Sequence, residues 1–412
     1  ALPRLLAWLL GGLPTPLARQ VVVTFGLANF FEGASIIAEP IIAPMLLTVG
    51  VPPAGAAALS IVGYAGLMGV EMAGIIITVL ALITGLPYSD LGVATAWWSL
   101  PATLLLALAV PCFLPAPQEA WRRLPLILGS ALVVALTALA GAIWLGVAVA
   151  GMVGGLALIL ISLGSRQAWR WPGRELGAIL VPLVLIFLPL VLVNSWPALR
   201  QLTQQRLVLV LQVLPHHQIT FTPFFSAYLY LGLALLTAKC LLGVSREAWR
   251  CLLAAGAAKG WRALLAMGLF GAMGQIIAFS GSDPAVVPGA GATNIPFILA
   301  SGLKHYAGAF YPLFVPFLGW TGTFLTGYGV ASLMLFGDLQ LQAAAQLGLS
   351  ATTLAAALTV GAAVGSISSP FKIAIATSMC QAVGQEGAIL RLTIPIGAMV
   401  SLLLGLLLWV IV

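Results

Sequence analysis

Three glutamates and one lysine stand in surroundings too apolar for them. Glu32 and Glu39 lie in FFEGASIIAEP at 30–40, with Gly33 and Ser35 between them and Pro40 at the end. Residues 21–28 before this stretch and 41–47 after it are almost wholly apolar. Glu71 stands before Met72-Ala73-Gly74, and Lys372 follows Ser368-Ser369-Pro370. A second polar stretch, 321–338, carries Thr326, Gly327, Tyr328 and Ser332. Ionisable groups inside a bilayer are rare and usually face a pathway or a partner. Carboxyls such as Glu32 and Glu71 in a dry place are the chemistry of a proton carrier. A lysine there can hold the carboxylate of a small anion. Hydroxyls and unpaired backbone N–H groups at helix breaks can complete the anion's shell.

Each of these groups also has a plainer role. Glu32 can cap the half-helix that follows it, whose first N–H groups are otherwise unpaired. Lys372 can pair with Glu39, which leaves an anion little to bind. Breaking such a buried pair costs about 3–5 kcal/mol, which favours the pairing. Ser366, Ser368 and Ser369 can satisfy carbonyls of their own helices. His216 and His217, after Pro215, read as a solvated pair in a connection rather than a metal or pH-sensing site. The four cysteines show no metal-ligand or disulfide spacing. No metal and no cofactor is expected, and no nucleophile–base pair suggests an enzyme.

The elements that must hold these groups follow from composition. Hydrophobic residues make up 61% of the 412 residues and charged residues 7%. A soluble chain carries about 25% charged residues. The sequence is therefore that of an all-α integral membrane protein with many spans. The net charge of +7 comes from short basic connections, as orientation in a membrane requires, and does not point to nucleic acid. Residues 1–13 read as a short interfacial helix or a truncated span rather than a signal peptide.

A span needs about 20 apolar residues. Residues 21–49 form one segment, broken at 30–40. Residues 54–86, which hold Glu71, are tilted or interrupted. Residues 91–114 follow, with Trp97 and Trp98 as an interfacial anchor near their start. Residues 124–164 divide near 141–146. Further segments are 176–193, 224–242 and 261–279. Between 280 and 312 the pattern fails and irregular structure is expected. Residues 314–336 hold the second break, and 351–365, 369–383 and 392–412 complete the set. That is about eleven to thirteen passes or re-entrant segments. Basic connections at 115–123, 165–175 and 245–262 fall on one side, taken as cytoplasmic. Residues 246–262 space Trp249, Leu252, Leu253 and Trp261 as an interfacial amphipathic helix. Gly151-x-x-x-Gly155 and Gly361-x-x-x-Gly365 suit close helix packing.

Two parts of the chain echo one another. Gly33 and Gly327 each sit at a break, Gly50 and Gly348 end the next apolar stretch, and Ala56-Ala57-Ala58-Leu59 to Gly63 matches Ala355-Ala356-Ala357-Leu358 to Gly361. This divides the chain into a first repeat at 1–114, intervening helices at 115–262 and a second repeat at 263–412. Paired repeats with broken helices are a transporter architecture.

The residues also resemble a known family. FFEGASIIAEP resembles the EGAAGFGTP signature of the lactate permease family. PFLGWTGTFLTG at 316–327 resembles that family's PLLGALGAFLTG, and the likeness runs on through LFGDLQ at 335–340. ISSPFKIAIATSMCQAVGQEGAILR at 367–391 is similar to the family's ISPQNIAVAAAATGLVGKEGDLFR. The resemblance implies a secondary transporter of lactate, glycolate and related 2-hydroxymonocarboxylates with protons, in a bacterial inner membrane. It implies inverted repeats whose broken helices meet near the midplane and move as an elevator. The expected partners are a small organic anion, protons and the lipid bilayer, with the chain working as a homodimer or within a larger membrane complex. The anion would be held by Glu32, Gly33, Ser35, Glu39, Thr326, Gly327, Tyr328, Ser332, Ser368, Ser369 and Lys372, with Glu32 and Glu71 coupling protons.

Departures from the family pattern carry their own message. The family places several spans ahead of its first motif, whereas 31 residues precede Glu32, so leading spans are expected to be missing. The family's glycine–phenylalanine–glycine–threonine is Ile36-Ile37-Ala38-Glu39. Its polar run after threonine–glycine is Tyr328-Gly329-Val330-Ala331-Ser332-Leu333, and its glutamine–asparagine after serine–proline is Phe371-Lys372. Its asparagine–threonine before the mid-repeat glycine is Val62-Gly63. A buried carboxylate needs donors, and several are lost. This opens a second reading, a transport-inactive subunit serving as scaffold or anchor in a larger membrane complex.

Overall fold

Proline and glycine set the helix boundaries from the first break onward. The computed structural model describes residues 9–164, 174–214, 217–278, 280 and 295–412. Helix α1 (Pro16–Val21) continues through a π-helical stretch, Val22–Leu27, into α2 (Ala28–Gly33). The chain then leaves the helix, Ser35 adopts a positive φ of 60°, and α3 (Glu39–Thr48) starts with Pro40 in its first turn. Gly50, at φ 85°, turns the chain into α4 (Pro53–Ala65). Next come two 3-10 turns, Met68–Val70 and Met72–Gly74, then the short α5 (Ile75–Thr84) and the long α6 (Tyr88–Ala109).

The intervening part holds α7 (Pro117–Arg122), α8 (Leu124–Trp144), α9 (Ala150–Gly164), α10 (Arg174–Ser195) and α11 (Pro197–Gln201). A hairpin of β1 (Leu209–Leu214) and β2 (His217–Phe221) leads to α12 (Ala227–Leu241) and α13 (Arg246–Ala278). The second set is α14 (Ile295–Tyr306), α15 (Tyr311–Thr326), α16 (Gly329–Leu347), α17 (Ala351–Gly365), a 3-10 turn Ser366–Ser368, α18 (Pro370–Met379) and α19 (Glu386–Ile411). Gly327, at φ 84°, ends α15. Five described helices are long and apolar enough to cross a membrane, and a sixth span arises if the pair bent by 93° at α10–α11 counts as one. The chain is an all-α integral membrane protein, and shorter apolar helices such as α3, α4 and α12 stand beside these long ones.

Element order after the first break repeats after the second. A helix, a left-handed glycine, an alanine-rich helix, 3-10 structure (two turns in the first set, one in the second), a ten-residue helix and a long helix follow in both. The contacts between the two sets are reciprocal. α18 packs on α3 while its counterpart α5 packs on α16. α17 packs on α6 while α4 packs on α19, and the turns Met68–Val70 and Ser366–Ser368 each touch the other set's alanine-rich helix. Reciprocal pairing of this kind is what a two-fold relation produces. The centre is built from α4 and α17, whose residues Ala56, Ala57, Ala58, Ala355, Ala356 and Ala357 are fully buried. Small side chains let backbones approach closely, which is how helices associate without a hydrophobic drive in lipid.

Several expectations need correction. α13 runs unbroken through residue 262, where an interfacial helix was expected to give way to a span. Its alanine, leucine, arginine and tryptophan are helix formers, and Gly256 and Gly260, at about 1 kcal/mol each, do not suffice to stop it. The region expected to be irregular contains α14, while residues 281–294 lie outside the described ones. Trp97 and Trp98 fall in the middle of α6 rather than at its start. The connection at 194–223 contains a β-hairpin that periodicity did not reveal. His216 lies outside the described residues.

Candidate functional site

Two backbones meet at Gly33, the last helical residue before the break. A Cβ on Gly33 would collide with the backbone of Gly151 and Met152 on α9. Gly155, one turn on, lies against the Gly26 carbonyl and the Phe30 backbone. The Gly151–Gly155 pair is thus the seat of α2, and Gly151 also carries the Glu71 side chain on its face. Glu32, 3% exposed, accepts a hydrogen bond from the Ala38 N–H at 3.0 Å. Ala38 is the residue on which α3 begins, so the carboxyl bridges the gap and caps the next half-helix.

Across this break lies a buried chain of polar contacts. Lys372 Nζ donates to the Tyr64 hydroxyl at 2.7 Å, and that hydroxyl donates to Glu39 Oε1 at 2.5 Å. The ammonium is also 3.6 Å from Glu39 Oε1 and sits over the Tyr64 ring, 4.9 Å from its centroid. Glu39 is 1% exposed, Tyr64 0% and Lys372 8%, so all three are removed from water. Met68 Sδ lies 3.6 Å from Lys372 Nζ and accepts from Ser366 Oγ at 2.9 Å. Ser369 caps α18 by accepting from the Lys372 N–H, and Pro370 opens that helix. The lysine therefore leaves its helix in the first turn, where a break faces the opposite set.

Glu71 completes the cluster. It is fully buried, and both carboxyl oxygens lack a hydrogen-bond partner among the described residues. It lies within electrostatic range of Glu32 and Lys372, as Glu32 does of Lys372 and Glu39. Behind it Met72, Ala73 and Gly74 all take positive φ, at 51°, 49° and 76°. For a residue with a side chain that conformation costs roughly 1–2 kcal/mol, and such strain gathers where backbone must serve a site.

The second break also reaches this cluster. Gly327 packs against the Phe371 side chain, and Gly329 faces Met68 Cε at 3.6 Å. Several expected ligands, however, point elsewhere. Ser332 Oγ donates to the Gly319 carbonyl at 2.9 Å, and Ser368 Oγ donates to the Thr393 carbonyl at 2.9 Å. Thr326 Oγ1 donates to the Gly322 carbonyl at 2.8 Å, whereas the Tyr328 ring stays with Gly327 and packs on Phe371. Ser35 Oγ has no partner among the described residues. Among those residues no group of histidine, cysteine and acids could hold a metal.

The sequence profile of the L-lactate permease family matches residues 8–412. The chain belongs to the L-lactate permease family. A glycolate permease of Escherichia coli (strain K12) is 38% identical over 114 residues, 28% of this chain and 20% of that protein. An L-lactate permease of the same strain is 42% identical over 107 residues, 26% of this chain and 19% of that protein. An L-lactate permease of Streptococcus iniae is 23% identical over 357 residues, 82% of this chain and 72% of that protein. The matched segments span about a fifth of the Escherichia coli relatives' own length. No solved structure matches this chain.

Within the family pattern, this member's two charged departures are partners. Glu39 and Lys372, the two charged side chains that depart from the motifs the sequence resembles, meet at 3.6 Å. Sequence reasoning missed Tyr64, which holds them together. Its signal was present: a phenol in an otherwise apolar, alanine-rich run needs a buried partner. Removing its hydroxyl leaves both charged groups short of a bond, which costs about 1–3 kcal/mol. Tyr64→Phe is accordingly expected to lower the thermal unfolding midpoint of the purified protein while leaving its helical content unchanged, measured by circular dichroism. A midpoint equal to wild type would mean that the hydroxyl bridge contributes nothing.

Proposed function

We propose that this protein is a secondary transporter of small monocarboxylates of the 2-hydroxy acid type, lactate and glycolate among them, coupled to protons. The observation that carries this reading is the buried Lys372 ammonium, shared by Glu39 and Tyr64 where the two sets of helices meet. Membership of a permease family and the names of the relatives support it.

Charge balance supplies the mechanism. One ammonium can neutralise one carboxylate. An incoming anion that takes Glu39's place on Lys372 leaves Glu39 buried and unpaired, which costs several kcal/mol unless it gains a proton. The exchange is then R–COO⁻ plus one proton in, with Glu39 neutral, Lys372 still paired and the site's net charge unchanged. Tyr64 can hand its hydrogen bond from Glu39 to the anion. Glu32 and Glu71 are the acids that relay protons to the site, and Glu71's lack of partners suits that role. The two sets of helices act as inverted repeats around this centre. The basic connection at 115–123 and the basic first half of α13 face the cytoplasm of a bacterial inner membrane; most of the third basic stretch, 165–175, lies outside the described residues.

Proteoliposomes holding the purified chain are expected to take up lactate or glycolate faster when the lumen is alkaline. Glu32→Gln and Glu71→Gln should keep anion exchange between two loaded compartments while losing accumulation driven by the pH gradient. Uptake equal to that of empty vesicles, from a protein that always arrives with other chains, would overturn the transporter and favour the scaffold. Two features lend the scaffold its weight: the site is neutralised from within, and Ser332 and Ser368 are tied to their neighbours' carbonyls.

A further inference from the structure

A cavity with a partly polar lining lies apart from the buried cluster. Its volume is about 320 Å³, and Tyr88, Gly146, Asn194, Arg200, Gln204 and Phe225 contribute to its walls. That is some ten times the roughly 30 Å³ that a water molecule occupies in the liquid, so a three- or four-carbon acid fits with part of its hydration. The cavity sits where α6 begins and α8 and α10 end. The basic pair Arg122 and Arg123 lies beyond the other end of α6 and α8, so the cavity opens on the face away from that connection.

Arg200 gives the cavity its chemistry. One guanidinium nitrogen donates to the Asn194 carbonyl near the end of α10. A guanidinium has five donors in a planar fork that matches a carboxylate, so most of them stay available. Among the described residues no carboxylate lies within ion-pair distance of Arg200. Asp90, the acid nearest in sequence to the cavity wall, is hydrogen-bonded by Ser89 instead. The local frame is built: Asn194, 2% exposed, donates to the Leu190 carbonyl and borders Gly146, and Ser195 ties the end of α10 to the Leu145 carbonyl.

The wall of this cavity adjoins the strained turn beside Glu71. The Tyr88 hydroxyl lies against Gly74, where a Cβ would collide with it. The 3-10 turn Val147–Val149, which starts at the cavity's Val147, packs on Met72–Gly74. Gly151 then carries the side chain of Glu71. One turn of backbone therefore separates the cavity from an unpartnered buried carboxyl.

We infer that this cavity is a separate binding site for small monocarboxylates, in which Arg200 holds the carboxylate before the anion reaches Lys372. The inference rests on the transporter reading above. Anion and proton then meet on the two sides of the Met72–Gly74 turn, the anion at Arg200 and the proton at Glu71.

Equilibrium dialysis of radiolabelled glycolate against the purified full chain in lipid nanodiscs tests this. The double variant Lys372→Met with Glu39→Gln removes the central ion pair. It should still bind glycolate, with an affinity that falls as chloride rises. Adding Arg200→Gln should abolish that binding, and Arg200→Lys should weaken it about tenfold by losing the fork. Val93→Phe, which fills the cavity but keeps Arg200 and its bond to Asn194, should abolish it as well and guards against a folding defect in the arginine variants. In otherwise wild-type protein, Arg200→Gln should raise the KM for uptake and spare the maximal rate. If the central double variant binds no glycolate while wild type does, this inference falls and the transporter reading stands. If it binds equally with and without Arg200→Gln, the arginine site is wrong. If wild type itself binds none, both fail.

Discussion

Lys372→Met is expected to abolish uptake and to lower the unfolding midpoint further than any conservative change nearby. Methionine keeps the length of the side chain and removes its charge. Glu39 is then left 1% exposed, with Oε1 held only by Tyr64 and Oε2 already without a partner. Leaving one member of a buried pair uncompensated costs about 3–5 kcal/mol. Adding Glu39→Gln removes the orphaned charge, so the double variant should recover most of the stability lost. It should not recover transport, because the ammonium that receives the anion is still gone. Thermal unfolding of the four proteins of this cycle, read beside uptake into vesicles, separates the two effects. A double variant as unstable as the sum of its singles would show that the side chains do not act together. A lysine-free protein that still accumulates lactate would remove Lys372 from the mechanism.

The second large effect is steric and should appear twice. Gly63 and Gly361 occupy matching places in the two alanine-rich helices. A Cβ on Gly63 would collide with the Thr24 carbonyl, and one on Gly361 with the Pro316 carbonyl. In both cases the obstacle is backbone of the helix leading into a break, which cannot swing aside as a side chain tip does. Asn29, fully buried, adds to the first contact by donating to the Phe25 and Gly63 carbonyls at 2.6 and 2.9 Å. Gly63→Ala and Gly361→Ala are each expected to destabilise by about 1–3 kcal/mol or more, and to reduce uptake by moving a break away from Lys372. Gly129→Ala is the control. Apart from its own helix backbone and chain neighbours, no atom lies within 4 Å of where its Cβ would be, and alanine gains up to about 1 kcal/mol over glycine in a helix. Equal midpoints for all three variants would mean that these approaches are looser than described.

Much of the architecture was legible because its causes are local. A stretch of about 20 apolar residues must cross or lie in a bilayer, whatever the rest of the chain does. Pro40 and Pro370 stand in first turns, where the missing N–H costs nothing, whereas Pro44, Pro101 and Pro316 lie inside helices that continue past them. Gly50, Gly327 and Gly348 accept the left-handed turns that end one. The division of residues 124–164 near Gly146 followed from the same rule, and Gly146 does take a positive φ of 100°. Helix α13 was misjudged because its helix formers outweigh Gly256 and Gly260 and carry the amphipathic stretch straight on through residue 262.

The chain's composition and punctuation thus determined by themselves that it is a membrane protein of broken helices, and the motifs named its family. The tertiary structure alone decided which polar groups share a site. Tyr64 and Lys372 are 308 residues apart, and no local rule brings a phenol on α4 to an amine on α18. The same packing turned Ser332 and Ser368 away from the cluster, since a hydroxyl bonds whichever carbonyl lies closest. Where burial leaves no water to fall back on, every polar atom takes the partner that the packed neighbours offer. That partner is a property of the assembled helices rather than of any stretch of sequence.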